Sequence, residues 1–172
     1  MSDADTYDWS EFTVTMFYPA DLGRVWAAWA TPAGLESFFI ERCEATALDG
    51  RPVPGDEMVT VESTFRWTWR QGIAIDGRFT AAVDRERLGF TFGDMHVEVR
   101  FTETADGTRV DLHQTDIADT ADGRVWGHLN CRSCWIFFMT NLTSVLTTGT
   151  DLRHENPEVT SSMEVGFATA TT

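Results

Sequence analysis

The chain has 172 residues, of which 42% are hydrophobic, and this length and composition predict one globular domain with a substantial buried core. Its formal net charge is -14, and all 13 basic residues are Arg. Because so acidic a chain repels phosphate backbones, the composition argues against nucleic-acid binding.

The chain begins with a polar, acidic stretch, residues 1–8, which we expect to be a flexible tail. Phe12, Val14 and Met16 then occupy alternate positions and predict a strand that ends at Pro19. Two short helices are predicted next, over residues 20–30 and 31–39. The second begins with Thr-Pro, a capping residue followed by proline at the first helical position.

From residue 40 to residue 114 the apolar residues recur with a period of two, which predicts about six further strands. One of these strands is predicted to run from Val59 to Trp69. Turn residues separate the strands, at Asp49-Gly50, Gly72, Gly93-Asp94 and Asp106-Gly107. Since the residues between the apolar positions are mostly polar, we expect an antiparallel sheet with one buried face.

The last predicted element is a helix from about Asp122 to Thr148, roughly 40 Å long, with Gly149 as its C-cap. Its apolar residues recur every three or four positions. Because neither the sheet nor this helix can bury its apolar face alone, we expect the sheet to curve around the helix. The fold prediction is therefore α+β, with a curved antiparallel sheet of six to seven strands and a long C-terminal helix on its concave face. Residues 154–172 are expected to be a flexible tail, although the segment 163–167 could pair with another strand.

Three segments resemble the SRPBCC (START-like, helix-grip) superfamily, and within it the branch of activator of heat-shock-90 ATPase homologues. They are VWAAWATPAGLESFF (25–39), Pro54-Gly55-Asp56 followed by FRWTWRQG (65–72), and CWIFFMTNLTSVLTTGTDLR (134–153). Phe38 and Thr143 depart from the family pattern, which commonly has Trp and Lys at these positions. The resemblance implies a single helix-grip domain over residues 9–153. It also implies a cavity between sheet and helix that can hold lipids, hormones or polyketides, and no shared catalytic residues.

The candidate binding site consists of inward-facing, mostly aromatic side chains. We predict a ligand cavity walled by Trp67, Trp69, Phe79, Phe90, Gln114, Trp135, Phe138 and Leu142, and a mouth flanked by Trp26, Phe38 and Phe39. Gln114 would supply a polar group that orients the ligand. The alternative interpretation is that these rings fill a solid core.

The sequence H-x-x-C-x-x-C, formed by His128, Cys131 and Cys134, is a candidate metal site. Zinc would require a fourth ligand from the sheet, such as Cys43 or His113. The alternative, which we favour, is that two small thiols let the helix approach the sheet closely. A redox role is disfavoured because the pair lies inside the predicted helix rather than at its N-terminus. We therefore predict neither a metal nor a cofactor.

The leading functional hypothesis is binding of a small hydrophobic molecule. The alternatives are a chaperone-interacting or stress-response protein, with possible homodimer formation, and an enzyme of the polyketide cyclase or aromatase type. An enzyme would require an inward-facing acid or base, and the strand phase predicts that Glu62 and Arg66 point outward, so catalysis is disfavoured.

The same sequence predicts where the protein is found. No basic segment precedes an apolar run at the N-terminus, and the longest apolar run, 135–139, falls far short of the ~20 residues that cross a membrane. Together with three cysteines, this predicts a cytoplasmic protein with free thiols and no membrane insertion.

Overall fold

The computed structural model describes residues 7–159, 161 and 164. Its strands are β1 (Phe12–Tyr18), β2 (Arg42–Thr46), β3 (Thr64–Thr68), β4 (Ala74–Val83), β5 (Arg87–Phe92), β6 (Met95–Thr104) and β7 (Gly107–Thr115). Two short helices, α1 (Leu22–Ala30) and α2 (Pro32–Phe38), lie between β1 and β2. After β7, a π-helical segment, Gly123–Asn130, runs directly into the long helix α3 (Cys131–Thr148).

The strands form one seven-stranded sheet in the order β1-β7-β6-β5-β4-β3-β2, and every neighbouring pair is antiparallel. The first two strands in the chain therefore lie at opposite edges, and α1 and α2 carry the chain from one edge to the other. The register shifts between Phe79 and Ala81 on β4, where the strand is irregular. This architecture confirms the prediction of an α+β fold with a curved sheet and a long C-terminal helix.

The ends of the short helices follow the predicted capping signals. The side chain of Asp21 accepts a 3.0 Å hydrogen bond from the backbone N–H of Arg24 at the start of α1. The hydroxyl of Thr31 ends α1 and begins α2, because it donates to the carbonyl of Ala27 and accepts from the N–H of Gly34. At the other end of the chain, Gly149 caps α3 with a left-handed φ of 73°.

The loop before β3 differs from the sequence prediction. The strand was expected to begin near Val59, but β3 begins at Thr64. Val59 instead lies in the loop, buried, with its backbone N–H donating to the carbonyl of Ala30 on α1. Glu62 has a φ of 66°, which is incompatible with a strand. Val59 is therefore buried because a loop packs against α1, whereas Val61 is half exposed, and neither residue belongs to a strand.

Parts of both predicted tails lie outside the described residues: 1–6 in the first tail, and 160, 162, 163 and 165–172 in the second. The segment 163–167, for which the sequence allows pairing with another strand, also lies outside the described residues except for Glu164. Tyr7 lies within the described part, and its hydroxyl forms a 2.8 Å hydrogen bond with Nε2 of His128. Arg153 is buried and donates to the carbonyls of Ile40 and Glu36. Within the described part of the chain, no helix has the length and apolar character needed to cross a membrane.

Candidate ligand cavity

A stack of aromatic rings joins the long helix to the rest of the fold. Trp135 on α3 faces the sheet, and its ring lies 4.7 Å from that of Phe39 at an interplanar angle of 25°. Phe39 ends α2 and also meets Trp69 edge to face, with ring centroids 5.2 Å apart. Trp69 is placed there because it directly follows β3. Contacts of this kind contribute about 0.5–1.5 kcal/mol each beyond the area they bury, so they hold the wall in a defined geometry.

Beside this stack lies a partly enclosed cavity of about 210 Å³. It opens between the end of α2, the turn that joins β3 to β4, the end of β5 and the first turns of α3. Its lining consists of Phe39, Trp69, Ile73, Ile75, Phe92, Asn130, Cys131, Cys134, Trp135, Phe138 and Glu164. Most of this surface is apolar, as is usual for small-molecule sites.

The predicted cavity residues are divided between the cavity and the solid core. Trp69, Trp135, Phe138 and also Phe39 line the cavity. The others, which are Trp67, Phe79, Phe90, Gln114 and Leu142, lie behind it and are at most 1% exposed. Trp67, for example, stacks on Phe65 with ring centroids 3.9 Å apart. Three of the eight predicted cavity residues therefore line a cavity, and the other five belong to the packed core.

The structure places the three predicted mouth residues at different depths. Trp26 is buried and packs edge to face against Phe101, with ring centroids 5.2 Å apart. Phe38 is fully buried beside Trp29. Neither of these two borders the cavity, whereas Phe39 forms part of its wall. Ile73, with 47% of its surface exposed, is the lining residue that stands at the rim.

Gln114 points inward, as its strand phase indicated, but protein groups occupy its amide. Its Oε1 accepts a 2.8 Å hydrogen bond from Nε1 of Trp135. Its Nε2 donates to the carbonyl of Gly127 and lies 3.1 Å from the sulfur of Met95. Gln114 therefore fixes the orientation of Trp135, one wall of the cavity, and does not itself line the cavity.

Asn130 is the polar side chain that the sequence reasoning missed. It ends the π-helical segment, and its Oδ1 is buried without a hydrogen-bond partner among the described residues. A buried acceptor left unpaired costs about 1–3 kcal/mol, and such atoms are rare in folded proteins. The signal in the sequence was its spacing, since Asn130 precedes Cys134 by four residues and so shares its face of the helix. Segments of π-helix are themselves frequent at functional sites.

The two cysteines that line the cavity are neutral thiols. Burial raises the pKa of Cys134 to about 12, and it also raises the pKa of Cys131. The sulfur of Cys131 lies 3.3 Å from the carbonyl oxygen of Trp126, to which its S–H donates. Neither group has the thiolate character that nucleophilic or redox chemistry requires.

His128 does not face the cavity with the cysteines. It is buried on the other side of the helix, among the rings of Tyr7, Trp9 and Phe12, and its Nδ1 lies 3.1 Å from the carbonyl oxygen of Trp9. The H-x-x-C-x-x-C sequence therefore does not assemble into one constellation. Over the residues that the structure describes, no group of three or more His, Cys, Asp or Glu side chains is placed to hold a metal ion.

The acidic residue at the cavity is Glu164, from the segment after α3. It is 8% exposed, and its carboxylate accepts hydrogen bonds from the backbone N–H groups of His154 and Ser161. These bonds fix the position of the carboxylate relative to His154 and Ser161. Glu62 and Arg66, in contrast, lie on the outside, where Arg66 pairs with Asp76 at 2.8 Å.

A family model decides the classification of this fold. The model described as Activator of Hsp90 ATPase homolog 1-like protein matches residues 19–147, most of the chain. The chain belongs to this family. The matched range extends from the end of β1 to the last turn of α3, so this Activator of Hsp90 ATPase homolog 1-like chain carries the family pattern through both walls of the cavity. No curated protein sequence matches it significantly.

Solved structures agree with the family assignment at the level of the fold. Protein SSP2350 from Staphylococcus saprophyticus has a TM-score of 0.67 at 19% identity, over 83% of this chain and 96% of that chain. DynU16, from the dynemicin biosynthetic locus, has a TM-score of 0.66 at 19% identity, over 84% of this chain and 50% of that chain. The Aha1 dimer from Colwellia psychrerythraea has a TM-score of 0.64 at 16% identity, over 81% of this chain and 98% of that chain.

Proposed function

We propose that this Activator of Hsp90 ATPase homolog 1-like protein binds a small hydrophobic molecule in the cavity between the sheet and α3. One observation carries the proposal: Phe39, Trp69 and Trp135 form one wall of a partly enclosed cavity of about 210 Å³, beside fully buried aromatic residues such as Trp67 and Phe90. Interiors are normally packed to crystal density, so space of this size beside five buried or half-buried aromatic side chains is unusual.

The size of the cavity limits the size of the ligand. An apolar cavity of about 150 Å³ is enough to hold one benzene ring, and drug-sized pockets are roughly 300 Å³ or larger. A cavity of about 210 Å³ therefore suits a molecule of one or two rings, or the end of a longer one that extends past Ile73. The driving force is burial of apolar area, about 25 cal/mol per Å² before the costs of association.

The proposal is tested by titrating the isotope-labelled protein with naphthalene, a two-ring probe without polar groups. We expect chemical shift changes at the indole N–H signals of Trp69 and Trp135. We expect none at Trp26, which lies outside the cavity lining. Uniform shifts across the protein, or no shifts at the cavity, would contradict ligand binding at this site.

A matched pair of variants separates the cavity from the rest of the helix. Cys134→Phe places a ring into the cavity and should abolish naphthalene binding. Thr140→Phe places the same ring on the exposed face of α3 and should leave binding unchanged. Equal affinity in the two variants would show that the probe binds elsewhere.

Two alternative functions are compared with the same structure. The family description and the likeness to the Aha1 dimer support a chaperone contact, and homodimer formation, as a second candidate. A pull-down with the heat-shock-90 chaperone and an ATPase assay would test the contact, and light scattering would test the dimer.

An enzyme of the cyclase type is less well supported, because the carboxylate of Glu164 is engaged by backbone N–H groups and both cavity thiols are neutral. We also propose that the protein is located in the cytoplasm.

A further inference from the structure

The two indoles in the cavity wall differ in how their N–H groups are used. Nε1 of Trp135 donates to Oε1 of Gln114 at 2.8 Å and is therefore occupied. Nε1 of Trp69 has no hydrogen-bond partner within the described part of the chain and, unlike Nε1 of Trp67, it is not fully buried. Since Trp69 lines the cavity, its N–H is open to a ligand there, and an indole nitrogen can only donate a hydrogen bond.

Trp69 is held in place by its backbone and by its ring neighbours. In the turn between β3 and β4, its backbone N–H donates to the carbonyl of Ile73 at 2.8 Å, and its carbonyl accepts from Gly72 at 2.9 Å. Its ring meets Phe39 and Phe92 edge to face, with centroids 5.2 Å and 6.3 Å away. Because backbone and ring are both fixed, a ligand that bonds to the indole N–H does not have to pay for ordering this side chain.

Asn130 offers the cavity donors as well. Its Oδ1 is fully buried, so a ligand cannot reach that acceptor. The amide nitrogen of the same side chain is not fully buried and has no hydrogen-bond partner among the described residues. The thiol of Cys131, in contrast, already donates to the carbonyl of Trp126. Two N–H donors, on Trp69 and Asn130, are therefore left for a ligand.

The charge at the cavity is negative. Both carboxylate oxygens of Glu164, a lining residue, already accept hydrogen bonds from the backbone N–H groups of His154 and Ser161. Among the described lining residues there is no Arg, Lys or His. The nearby guanidinium of Arg70 is used on Asp151 and on two backbone carbonyls. An anionic ligand would therefore lose its hydration without gaining a partner of opposite charge, which is strongly unfavourable.

Building on the proposed function, we infer that the cavity takes uncharged aromatic molecules that accept a hydrogen bond, and that Trp69 is the residue that determines this specificity. The ligand class is a molecule of one or two rings that carries a neutral acceptor oxygen, such as a ketone. Its rings lie against Phe39 and Trp135, and its oxygen accepts from Nε1 of Trp69. A carboxylate is also an acceptor, but it is rejected because its charge is not balanced.

The first test uses two probes of the same shape that differ in one polar atom. The probe 2-acetylnaphthalene carries a ketone oxygen, and 2-isopropenylnaphthalene carries a CH₂ group in its place. In NMR spectra of the isotope-labelled protein, we expect the ketone to move the indole N–H proton signal of Trp69 further downfield than the alkene does. The N–H of Trp135 is held by Gln114 and should respond similarly to both probes. Equal shifts at Trp69 would overturn the inference.

Affinities test the role of Trp69 separately. Trp69→Phe keeps a ring and removes the N–H, so it should weaken binding of 2-acetylnaphthalene about fivefold relative to 2-isopropenylnaphthalene, the usual value of one neutral hydrogen bond. Trp126→Phe is the control, because Trp126 is 43% exposed and lies outside the lining, and it should leave the ratio of the two affinities unchanged. The same ratio in Trp69→Phe as in the unaltered protein would overturn the role of Trp69. The NMR comparison decides the inference even if a variant fails to fold.

The possible outcomes separate this inference from the proposed function. At pH 7 the probe 2-naphthoate is anionic, and we expect it to bind at least about tenfold more weakly than 2-acetylnaphthalene. Equally tight binding of 2-naphthoate would overturn the selection against anions. If naphthalene binds but the ketone does not engage the N–H of Trp69, the inference is wrong and hydrophobic binding stands. If neither naphthalene nor the three substituted probes bind, both the inference and the proposed function are wrong.

Discussion

Trp135 and Gln114 form a buried polar pair at the centre of the fold. The indole Nε1 of Trp135 donates a 2.8 Å hydrogen bond to Oε1 of Gln114, and the two residues are 2% and 0% exposed. The pair connects α3 to β7, so it couples the position of the helix to the sheet. Since Trp135 also lines the cavity, the same bond sets the orientation of one cavity wall.

The first prediction concerns this pair. Gln114→Leu leaves the indole N–H of Trp135 buried and unpaired and removes one donor from the carbonyl of Gly127, so we expect a loss of about 2–3 kcal/mol in the free energy of unfolding. Urea denaturation followed by circular dichroism measures it. Trp135→Phe removes the donor and keeps a ring. When the two substitutions are combined, the double variant should lose less free energy of unfolding than the sum of the two single losses. Strict additivity would mean that the hydrogen bond contributes nothing to stability.

The second prediction concerns Arg153, which ties the segment after α3 to the end of α2. Its guanidinium donates to Asp151 and to the carbonyls of Ile40 and Glu36. Arg153→Met removes the donor from both carbonyls and one partner from Asp151, which keeps Asn141 and Arg70, and it should destabilise the fold by about 3 kcal/mol. The control is Arg66→Met, which breaks the exposed pair with Asp76 and should cost less than about 1 kcal/mol. Similar losses in both variants would show that burial of Arg153 does not matter.

The third prediction is a pH dependence that arises from Asp151. Partial burial opposes ionisation of its carboxyl, but hydrogen bonds from Arg153 and Asn141 outweigh this and lower its pKa. A lowered pKa in the folded state contributes stability above the unfolded pKa of about 4, and this contribution is lost as the pH falls through the folded pKa. Unfolding followed between pH 7 and pH 2 should therefore show a smaller loss of stability on the acid side for Asp151→Asn than for the unaltered chain. Identical pH profiles would contradict the assignment.

The fourth prediction concerns the close approach of the π-helical segment at Gly127. A β-carbon there would lie 2.8 Å from Cγ2 of Ile117 and 3.2 Å from the sulfur of Met95. Gly127→Ala should therefore destabilise the fold by about 1–3 kcal/mol, although alanine normally stabilises a helix relative to glycine. Gly55→Ala is the control, because its β-carbon would meet Ala33 at an ordinary 3.5 Å. A stabilised Gly127→Ala variant would mean that the segment can move away from the sheet.

The fifth prediction uses the thiols as reporters of burial. Burial raises the pKa of both Cys43 and Cys134 to about 12, so both are protonated at pH 8. We expect N-ethylmaleimide to modify them at least about 100-fold more slowly than a cysteine peptide, and all three cysteines to react after unfolding in guanidinium. Because the folded pKa is raised, the stability that these groups contribute is present below about pH 8.5 and falls as the pH rises toward 12. Rapid labelling of the folded protein would show that the thiols are accessible thiolates.

Much of the fold could be predicted from local patterns. The alternation of apolar residues predicted the strands and the buried face on which Gln114 lies, and the Thr31-Pro32 pair predicted the start of α2. The order of the elements then led to the helix-grip resemblance, which the family match confirmed. These features depend on neighbouring residues, whose spacing the sequence states directly.

The depth of each aromatic ring was decided by the tertiary structure. Trp67 and Trp69 share one face of a strand pattern, yet the first is sealed in the core and the second borders the cavity. Periodicity reports the direction of a side chain, but the space in front of it depends on how α2, β5 and α3 pack together. The pairing of Trp135 with Gln114 and the open hydrogen bond of Asn130 depend on that same packing. The sequence by itself therefore determined the frame of the protein, and long-range packing decided where the frame leaves room for a ligand.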